Sequence, residues 1–518
     1  MLAGSVPAPA WFTGCRASRR ASDAFPPWKD WTISARLNLV IFPIGWLLIV
    51  IALSEMALGA ISAMFLDGEA VTLMVASAGT FLFGLGIITT TAPEEFGMDF
   101  RQATLFVVLA WIALPVVATL PLVLPPMNMP FADALFETVS AITTTGSTVL
   151  SGLDELPQTI LLWRSLLQWI GGIGIIGMAL VIFPFLRIGG MQLFRLESSD
   201  QSEKLFYRSG QLAGAIMVVY GLITLACILA YRFGGMSWFD AINHALTTVC
   251  TGGFSTHDAS MGYFDSAVIN WTAVVFMTAS GIPFLTYLRL ARGHHRLGRR
   301  ANWLETQVFA FLAFITSATL GIAWWLTVFD HVPFGKALGQ VAFHVVSTVT
   351  TTGFAVTDYL AWGTPVAGMF FLLTFVGGCT GSTAGGIKIF RFQLLARMIG
   401  QHLSQQAYPH AIVTPRYGAR KLSDEEIASI ASFIFLYFLT WLGVALLLQM
   451  TGIDPMTALS GSITALANVG PGIGNVIGPA GNFASLPELA KYILAAAMII
   501  GRLEIMTVFV LLIPAFYR

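Results

Sequence analysis

The sequence predicts an all-α polytopic membrane protein with two N-terminal spans followed by four pseudo-symmetric repeats, and three observations support this fold class. Of 518 residues, 56% are hydrophobic and only 10% are charged, whereas soluble domains carry about 25% charged residues. Ten segments are long and apolar enough to cross a bilayer. Four connections between these segments contain a similar polar peptide, which indicates an internal repeat.

The ten apolar segments meet the requirement of roughly 20 residues for a transmembrane helix. They lie at approximately 37–63, 70–92, 104–124, 160–185, 211–231, 267–290, 306–328, 366–399, 428–450 and 490–514. An even number of spans returns both termini to the same side of the membrane. The first two segments precede the repeats and form a separate two-span unit.

The distribution of basic residues predicts the orientation. Of the 27 Lys and Arg residues, 21 fall in the two termini and in every second connection, and only three fall on the opposite side. The positive-inside rule therefore places both termini in the cytoplasm. Residues 1–35 lack the apolar core of a signal peptide and are predicted to be a cytoplasmic tail. The formal net charge of zero gives no reason to expect a nucleic-acid partner, and the four scattered cysteines predict no disulfide, metal or redox site.

The repeated connections each contain a helix-compatible run followed by a small polar peptide. They read FADALFETVSAITTTGST (131–148), FDAINHALTTVCTGGFST (239–256), QVAFHVVSTVTTTGFAV (340–356) and MTALSGSITALANVGPG (456–472). Aligned on Gly146, Gly253, Gly353 and Gly470, they define a unit of span, short helix, polar peptide and span. Asp133 and Asp240 both lie thirteen residues before the glycine and are predicted at helix N-caps. The predicted units are 1–35, 36–93 and four repeats at 104–188, 205–292, 304–400 and 425–515.

The polar peptides predict a pathway for a monovalent cation. Irregular backbone at membrane depth is tolerated where it is covered by protein or lines water. Four such peptides around one central pore would offer carbonyl oxygens to a dehydrated cation. The predicted filter residues are Thr144, Thr145, Gly146, Thr251, Gly252, Gly253, Thr351, Thr352, Gly353, Asn468, Val469 and Gly470. Because the fourth peptide has fewer hydroxyls, the coordination is not expected to be fourfold symmetric.

The eighth apolar segment, residues 366–399, is too long for a simple span. Its 34 residues would make about 51 Å of helix, against a hydrocarbon core of about 30 Å. The glycine-rich stretch GGCTGSTAGG (377–386) predicts two half-helices joined by an unwound loop below the filter; a kinked helix packed through its glycines is the alternative. The predicted gate residues in this loop, which could obstruct the pore, are Gly377, Gly378, Gly381, Ser382, Thr383, Gly385 and Gly386; Lys388 and Arg502 join them only through the family resemblance given below.

Lys388 and Arg502 lie in or near apolar segments, where charged groups usually face a cavity or pathway. Each is interpreted as a barrier to cations or as a tether for loop carbonyls. Snorkelling of Lys388 to the headgroups is an alternative. For Arg502 the alternative is a structural ion pair with another span, because Glu504 lies only two residues away and faces a different direction.

His244 and His344 share one repeat position, nine residues before the glycine, where the first repeat has Glu137. We expect both histidines to form hydrogen bonds within the pore-helix scaffold. A proton-sensing role is the alternative, because histidine titrates near neutral pH.

The chain resembles the Trk/Ktr/HKT superfamily of potassium transporters, and within it the TrkH/TrkG-like subunits, from about residue 36 to the C-terminus. Besides the four polar peptides, the similar stretches are WRSLLQWIGGIGI (163–175), GGCTGSTAGGIKIFR (377–391) and GRLEI (501–505). The resemblance implies four channel-like units around one pore, an intramembrane gating loop that includes Lys388, and Arg502 directed toward the ion path. It also implies a homodimer and a cytosolic TrkA-like ring with nucleotide-binding domains. Four glycines in the filter go with potassium in this superfamily.

The leading hypothesis is therefore potassium uptake across the inner (plasma) membrane, with no enzymatic activity. K⁺ at the filter would be the transported ion, and no other metal or cofactor is predicted. A proton- or sodium-coupled potassium symporter on the same fold is the first alternative. A remote alternative is an intramembrane hydrolase that uses Ser382 with His344.

Overall fold

The computed structural model describes residues 33–93, 97–181, 209–291, 306–410, 416–417 and 420–517. The predicted tail lies outside these residues, except that residues 33–35 begin the first helix. Within the described ranges, seven helices are long and apolar enough to cross a membrane, or nine if each of two bent pairs counts as one span. The predicted all-α membrane fold is confirmed.

The two N-terminal spans form a hairpin of helices Ile33–Phe65 and Ala70–Thr91. Small residues bring the two backbones close together, since a Cβ on Gly84 would lie 3.0 Å from the carbonyl oxygen of Gly45. Close approach through small residues is a common way for helices to associate in membranes. The Asp67 carboxylate in the turn accepts a hydrogen bond from the Thr159 amide at 3.1 Å and so ties the hairpin to the first repeat.

The four repeats share an outer helix, a short pore helix, a filter peptide and an inner helix. The outer helices are Phe100–Ala118 (extended by Leu120–Val123), Ser209–Phe233, Thr306–Phe329 and Asp424–Gln449. The pore helices are Phe131–Ile142, Trp238–Val249, Phe334–Val349 and Pro455–Ala467. The second half of each pore helix is buried.

The pore helices begin earlier than the sequence indicated. Asp133 and Asp240 were expected at N-caps, but each lies in the first turn, because the helices start at Phe131 and Trp238. In the second repeat the cap is Ser237, whose side chain accepts a hydrogen bond from the amide of Asp240.

Within the residues that the structure describes, three of the four inner helices are broken. The first runs without interruption over Gln158–Val181. The second consists of Ala267–Ser280 and Phe284–Ala291, which are bent by 89° relative to each other. The third consists of Thr364–Leu373 and Ile389–Ala407. The fourth consists of Glu488–Arg502 and the segment Ile505–Leu512, which are bent by 105°. The predicted interruption of residues 366–399 into two half-helices is confirmed.

The breaks in the second and fourth inner helices correct the expectation of continuous spans at 267–290 and 490–514. Pro283 lacks a backbone N–H, which disfavours a continuous helix. The backbone groups freed there bond to the glycine-rich loop: the Phe284 amide donates to the Gly381 carbonyl at 3.1 Å, and the Gly281 carbonyl accepts from the Cys379 amide at 3.0 Å. In the fourth repeat the helix ends at Arg502, and Glu504 has a φ of 57°.

Two short strand pairs complete the described structure. Val376–Gly377 pairs in parallel with Ile387–Lys388, and this pairing closes the base of the loop formed by residues 378–386. Arg416–Tyr417 pairs antiparallel with Arg420–Lys421. The first pair matters for the site, because it fixes both ends of the loop at one place.

Candidate ion pathway

The four filter glycines form a closed ring of contacts between successive repeats. A Cβ on each glycine would overlap or crowd a backbone carbonyl oxygen of the next repeat, so no side chain fits there without a shift. The glycine and carbonyl pairs are Gly146 with Gly252, Gly253 with Thr352, Gly353 with Val469, and Gly470 with Thr145. Because the contacts run from repeat 1 to 2, 3, 4 and back to 1, the four peptides surround one axis.

All four peptides have the same backbone conformation. The residue two positions before each glycine is left-handed: φ is 51° at Thr144, 54° at Thr251, 58° at Thr351 and 55° at Asn468. The glycines also have positive φ, between 77° and 105°. A left-handed non-glycine residue costs about 1–2 kcal/mol, so the surrounding structure must hold it. The fourth peptide, LANVGPG, therefore has the same backbone conformation as the threonine-rich peptides although its side chains differ.

Side chains make the filter asymmetric, as the sequence indicated. In the first repeat the hydroxyls of Thr143 and Thr145 lie 2.7 Å apart, and in the third repeat those of Thr350 and Thr352 lie 2.8 Å apart. The second and fourth repeats have Cys250 and Gly252, and Ala467 and Val469, at these positions. Two repeats thus carry a pair of hydroxyls, and two do not.

The second filter peptide is held by a glutamine that the sequence analysis did not assign. Gln168, on the first inner helix, donates from Nε2 to the Gly252 carbonyl at 2.8 Å. Its Oε1 accepts from the Phe254 amide at 3.2 Å. The sequence signal that could have identified Gln168 is its polar side chain within the mostly apolar stretch WRSLLQWIGGIGI (163–175). The amide side chain fixes the second peptide on both sides of Gly253.

A buried ion pair supports the first peptide, and the sequence analysis assigned it no role. Arg164 Nε lies 2.7 Å from Glu137 Oε1, and the two side chains are 2% and 1% exposed. Glu137 also accepts from the Val149 amide at 3.0 Å. Arg164 donates to the Ser255 carbonyl at 3.4 Å and lies over the Phe254 ring. The pair therefore connects a pore helix, an inner helix and the segments that follow two filter peptides.

The two pore-helix histidines form the scaffold hydrogen bonds that their position predicted. His244 Nε2 lies 2.9 Å from Ser255 Oγ, and His344 Nε2 lies 3.2 Å from Thr357 Oγ1. Both hydroxyls lie just after a filter glycine. The histidines and Glu137 thus occupy one repeat position and make the same kind of contact, from the pore helix to the segment after the filter.

A histidine also links two repeats at the side of the filter away from the glycine-rich loop. His257 Nδ1 donates to Asp154 Oδ1, and its Nε2 lies 3.3 Å from Asp240 Oδ1. The ring stacks on Tyr263 with centroids 3.5 Å apart. The hydrogen bond from His257 holds the pKa of Asp154 below its ordinary value, so this carboxylate stays ionised.

The glycine-rich loop packs directly against the filter. The Gly385 amide donates to Thr351 Oγ1 at 2.7 Å, and Thr251 Oγ1 lies 3.2 Å from Thr383 Oγ1. Thr383 Oγ1 accepts from Thr251 in that contact and itself donates to the carbonyl of Val249, the last residue of the second pore helix, at 3.2 Å. The structure therefore brings the predicted gate loop and the predicted filter into contact.

Arg502 and Lys388 both donate hydrogen bonds to loop carbonyls. Arg502 Nη1 reaches the Thr383 oxygen at 2.9 Å, and Lys388 Nζ bonds to the Ala384 oxygen. These contacts favour the tether interpretation over snorkelling of Lys388 and over an ion pair of Arg502. Glu504 instead pairs with Arg391 at 2.5 Å.

A cavity of about 30 Å³ lies between the loop and these charged residues. Its lining includes Lys388, Arg391, Arg502 and Glu504, together with loop residues from Thr380 to Gly386. A water molecule needs about 10–15 Å³ by the same measure. The cavity therefore has room for about two or three water molecules but not for a cation with its hydration shell.

The structure does not bring together the residues of the hydrolase hypothesis. Ser382 Oγ donates to the Cys379 carbonyl at 2.7 Å, inside the loop. His344 bonds to Thr357, in the segment that follows the third filter peptide. Because neither side chain bonds to the other, the hypothesis lacks its nucleophile and base pair.

Comparisons with known proteins agree with this arrangement. A family model described as TrkH, cation transport protein, matches residues 72–515. The Trk system potassium uptake protein TrkI of Halomonas elongata is 46% identical over 418 residues, which cover 80% of this chain and 84% of that protein. TrkH of Vibrio parahaemolyticus is 36% identical over 482 residues, covering 92% and 98%. The crystal structure of the potassium transporter TrkH from Vibrio parahaemolyticus matches with a TM-score of 0.85 and 33% identity, covering 93% of this chain and 100% of that one.

Proposed function

Because the chain belongs to the TrkH family of cation transport proteins, we infer that it takes up potassium across the membrane through the ring of four filter peptides. The observation that carries this proposal is the closed cycle of glycine and carbonyl contacts. A ring of backbone oxygens can replace the hydration shell of an alkali cation. The relatives are named potassium uptake proteins, and all four filter positions here are glycine. The chain is a multi-pass membrane transporter and not an enzyme.

The twelve predicted filter residues are proposed as the ion-binding segment. Thr144, Thr251, Thr351 and Asn468 would form its end nearest the loop, and the four glycines would form the next layer. The distribution of Lys and Arg along the chain supports an inner-membrane location with both termini in the cytoplasm. In that orientation the loop lies on the cytoplasmic side of the filter.

The glycine-rich loop is proposed as the gate. It packs under the filter, and the cavity beneath it is too small for a hydrated ion. Arg502 and Lys388 would stabilise this closed arrangement by holding the carbonyls of Thr383 and Ala384. Opening then requires the loop to leave the filter.

Further subunits are proposed from the names of the relatives, which describe parts of a Trk system. We propose a homodimer and a cytosolic TrkA-like nucleotide-binding ring on the cytoplasmic face. Chemical crosslinking in native membranes, followed by mass spectrometry, tests both partners. Crosslinks restricted to a single copy of the chain would contradict them.

Uptake of radioactive rubidium into proteoliposomes tests the function. Unlabelled potassium is expected to compete at concentrations at least about tenfold lower than sodium, a difference of about 1.4 kcal/mol in binding. Empty liposomes are the control. Equal competition by the two ions would contradict a potassium-selective filter.

Reversal potentials separate a channel-like pathway from the coupled symporter. A channel-like pathway follows the potassium gradient alone, whereas stoichiometric coupling shifts the reversal potential with pH or with sodium. The continuous ring of filter peptides favours the first. A shift with pH at constant potassium would favour the second.

Replacing Arg502 with alanine is expected to raise basal rubidium flux by about tenfold to a hundredfold, because the closed loop loses a hydrogen bond from a charged donor worth about 1.5–3 kcal/mol. Arg502→Lys is the matched control, since it keeps the charge but has a different hydrogen-bonding geometry. The tether interpretation expects an intermediate flux for lysine. A lysine variant identical to wild type, beside a raised alanine variant, would favour simple charge repulsion.

A further inference from the structure

Two carboxyl groups of the N-terminal hairpin are buried without a hydrogen-bond partner, and neither belongs to the ion pathway. Glu55 and Glu69 are both 0% exposed, and neither oxygen of either carboxyl has a partner among the described residues. Glu55 lies ten residues before the end of the first helix at Phe65, a helix length of about 15 Å. Because the hydrocarbon core is about 30 Å thick, this carboxyl lies near the middle of the membrane.

The side chain of Glu55 is enclosed by protein. Ile51 lies four residues before it and Leu58 three residues after it, so all three share one face of the helix. Ile51 and Leu58 belong to the same apolar cluster as Val107 and Trp111 of the first outer helix. Glu55 is therefore buried where the hairpin packs against the first repeat.

In the described part of the chain, no charged group compensates the Glu55 carboxyl. The first helix packs against the second helix of the hairpin, the first outer helix and the first inner helix. The charged side chains of the last two helices are Arg101 and Arg164, and Arg164 is paired with Glu137. On its own helix, Arg36 lies 19 residues earlier in the sequence. The side chain that interacts with Glu55 is the neutral Thr80, on the second helix.

These surroundings favour the neutral form of Glu55. A buried carboxylate with neither a cation nor a hydrogen-bond donor is so costly that the group takes up a proton instead. The neutral acid gains an O–H donor, and the Thr80 hydroxyl, which is also buried without a partner, can accept its hydrogen bond. A metal ion fits less well, because these two side chains supply three oxygens and Ca²⁺ takes about six to eight.

Buried polar side chains connect this carboxyl to the turn of the hairpin. Glu69, Thr72 and Thr80 lie on one face of the second helix, since they are separated by three and eight residues, and all three are buried. Glu69 precedes the span, and its burial, followed by the nearby Asp67 carboxylate, raises its pKa. Glu69 is thus a second carboxyl that favours a bound proton, at the end of the hairpin that faces the extracellular side.

The opposite end of the hairpin is packed by small and apolar residues. The backbones approach each other at Gly45 and Gly84, and the side chains of Leu48, Ile49 and Ile88 fill the space around these glycines. A proton therefore has polar groups to follow toward the turn and none in this part of the interface.

We propose that Glu55 is a proton-binding site, occupied at neutral pH, that exchanges its proton through the turn of the hairpin and is separate from the potassium pathway. The site gives a ligand to the extra two-span unit, which the proposed function does not use. Loss of the proton leaves an unpaired carboxylate between the hairpin and the first repeat. The stabilising packing is present while the acid is neutral and is weakened as the pH rises.

Infrared spectroscopy of the full chain in lipid nanodiscs tests whether the acid is neutral. An ordinary glutamate is ionised at neutral pH, so the C=O stretch of a neutral carboxylic acid identifies an unusual one. The difference spectrum between wild type and Glu55→Gln is expected to contain this band at about pH 7 and to lose it at about pH 10. Thr80→Val is a second variant and should shift the band to higher wavenumber, because the acid loses a hydrogen-bond acceptor.

The rate at which the band disappears after a jump to alkaline pH tests the route. Glu69→Gln is expected to slow this disappearance at least about threefold, because the amide cannot exchange a proton at the turn. Glu425→Gln, at an exposed position at the start of the fourth outer helix, is the matched control and should leave the rate unchanged. Equal rates in wild type and Glu69→Gln would overturn the route through the turn.

The thermal midpoint gives an independent measurement. Between about pH 7 and about pH 10 it is expected to fall in the wild type by about 2 °C or more beyond the fall in Glu55→Gln, which cannot ionise. A neutral-acid band that is the same in wild type and Glu55→Gln at pH 7 would overturn the proton site, and so would a band that persists at pH 10. Rubidium uptake by the wild type is a separate readout: its absence would overturn the proposed function and not the proton site.

Discussion

Gly353→Ala is expected to lower rubidium uptake by at least about tenfold in protein that still folds. The added Cβ would overlap the Val469 carbonyl oxygen and lie 2.9 Å from Pro471 Cδ. The φ of 83° adds strain of about 1–2 kcal/mol for a residue other than glycine. The fourth filter peptide must then move, and its carbonyl leaves the position that the cation requires. Uptake per folded protein, quantified by size-exclusion chromatography, is the measurement.

Gly452→Ala is the control that separates the effect of the overlapping Cβ from the effect of backbone strain at positive φ. Gly452 has a φ of 89°, and a Cβ there would meet no atom within 4 Å. We expect this variant to lose about 1 kcal/mol of stability and to keep its uptake. Equal losses of uptake in the two variants would show that backbone strain alone, and not the ring of carbonyl contacts, explains the effect.

Arg164→Ala is expected to lower the free energy of unfolding by about 3–5 kcal/mol, because it leaves the Glu137 carboxylate buried without its cation. The thermal midpoint in detergent is the measurement. Uptake should fall with it, since the pair connects the segments that follow two filter peptides. Arg101→Ala, at an exposed arginine, is the control and should change the midpoint little.

The double variant Arg164→Met with Glu137→Gln tests whether the unpaired carboxylate causes the loss of stability in Arg164→Ala. If the cost arises from an unpaired buried charge, removing both charges should restore much of the stability lost in Arg164→Ala. A double variant no more stable than Arg164→Ala would show that the lost hydrogen bond from Arg164 to the Ser255 carbonyl and the lost packing, and not the unpaired charge, account for the loss.

The repeated elements could be predicted because their signals are local. A glycine with positive φ, a short helix before it and an apolar span on each side can be read in a window of about 40 residues. The left-handed backbone at Asn468 agrees with this, since the fourth peptide keeps the geometry with different side chains.

The features that could not be predicted depend on contacts distant in the sequence. The break at Pro283 is stabilised by the amide and carbonyl groups of loop residues Cys379 and Gly381, about 100 positions later. Glu137 and Arg164 are 27 residues apart and lie on different helices. The sequence marks Pro283 and Arg164 as unusual within apolar segments, but it does not identify their partners.

The short strand pairing of Val376–Gly377 with Ile387–Lys388 limits how far the loop travels. Both ends of residues 378–386 are fixed at one point, so about five residues connect the middle of the loop to that point in each direction. Fully extended, five residues span about 17 Å, which is the largest distance the middle of the loop can move from its base. If this loop is the gate, as proposed, a displacement within that limit would have to open the conduit, and only these nine residues would need to move relative to the other repeats.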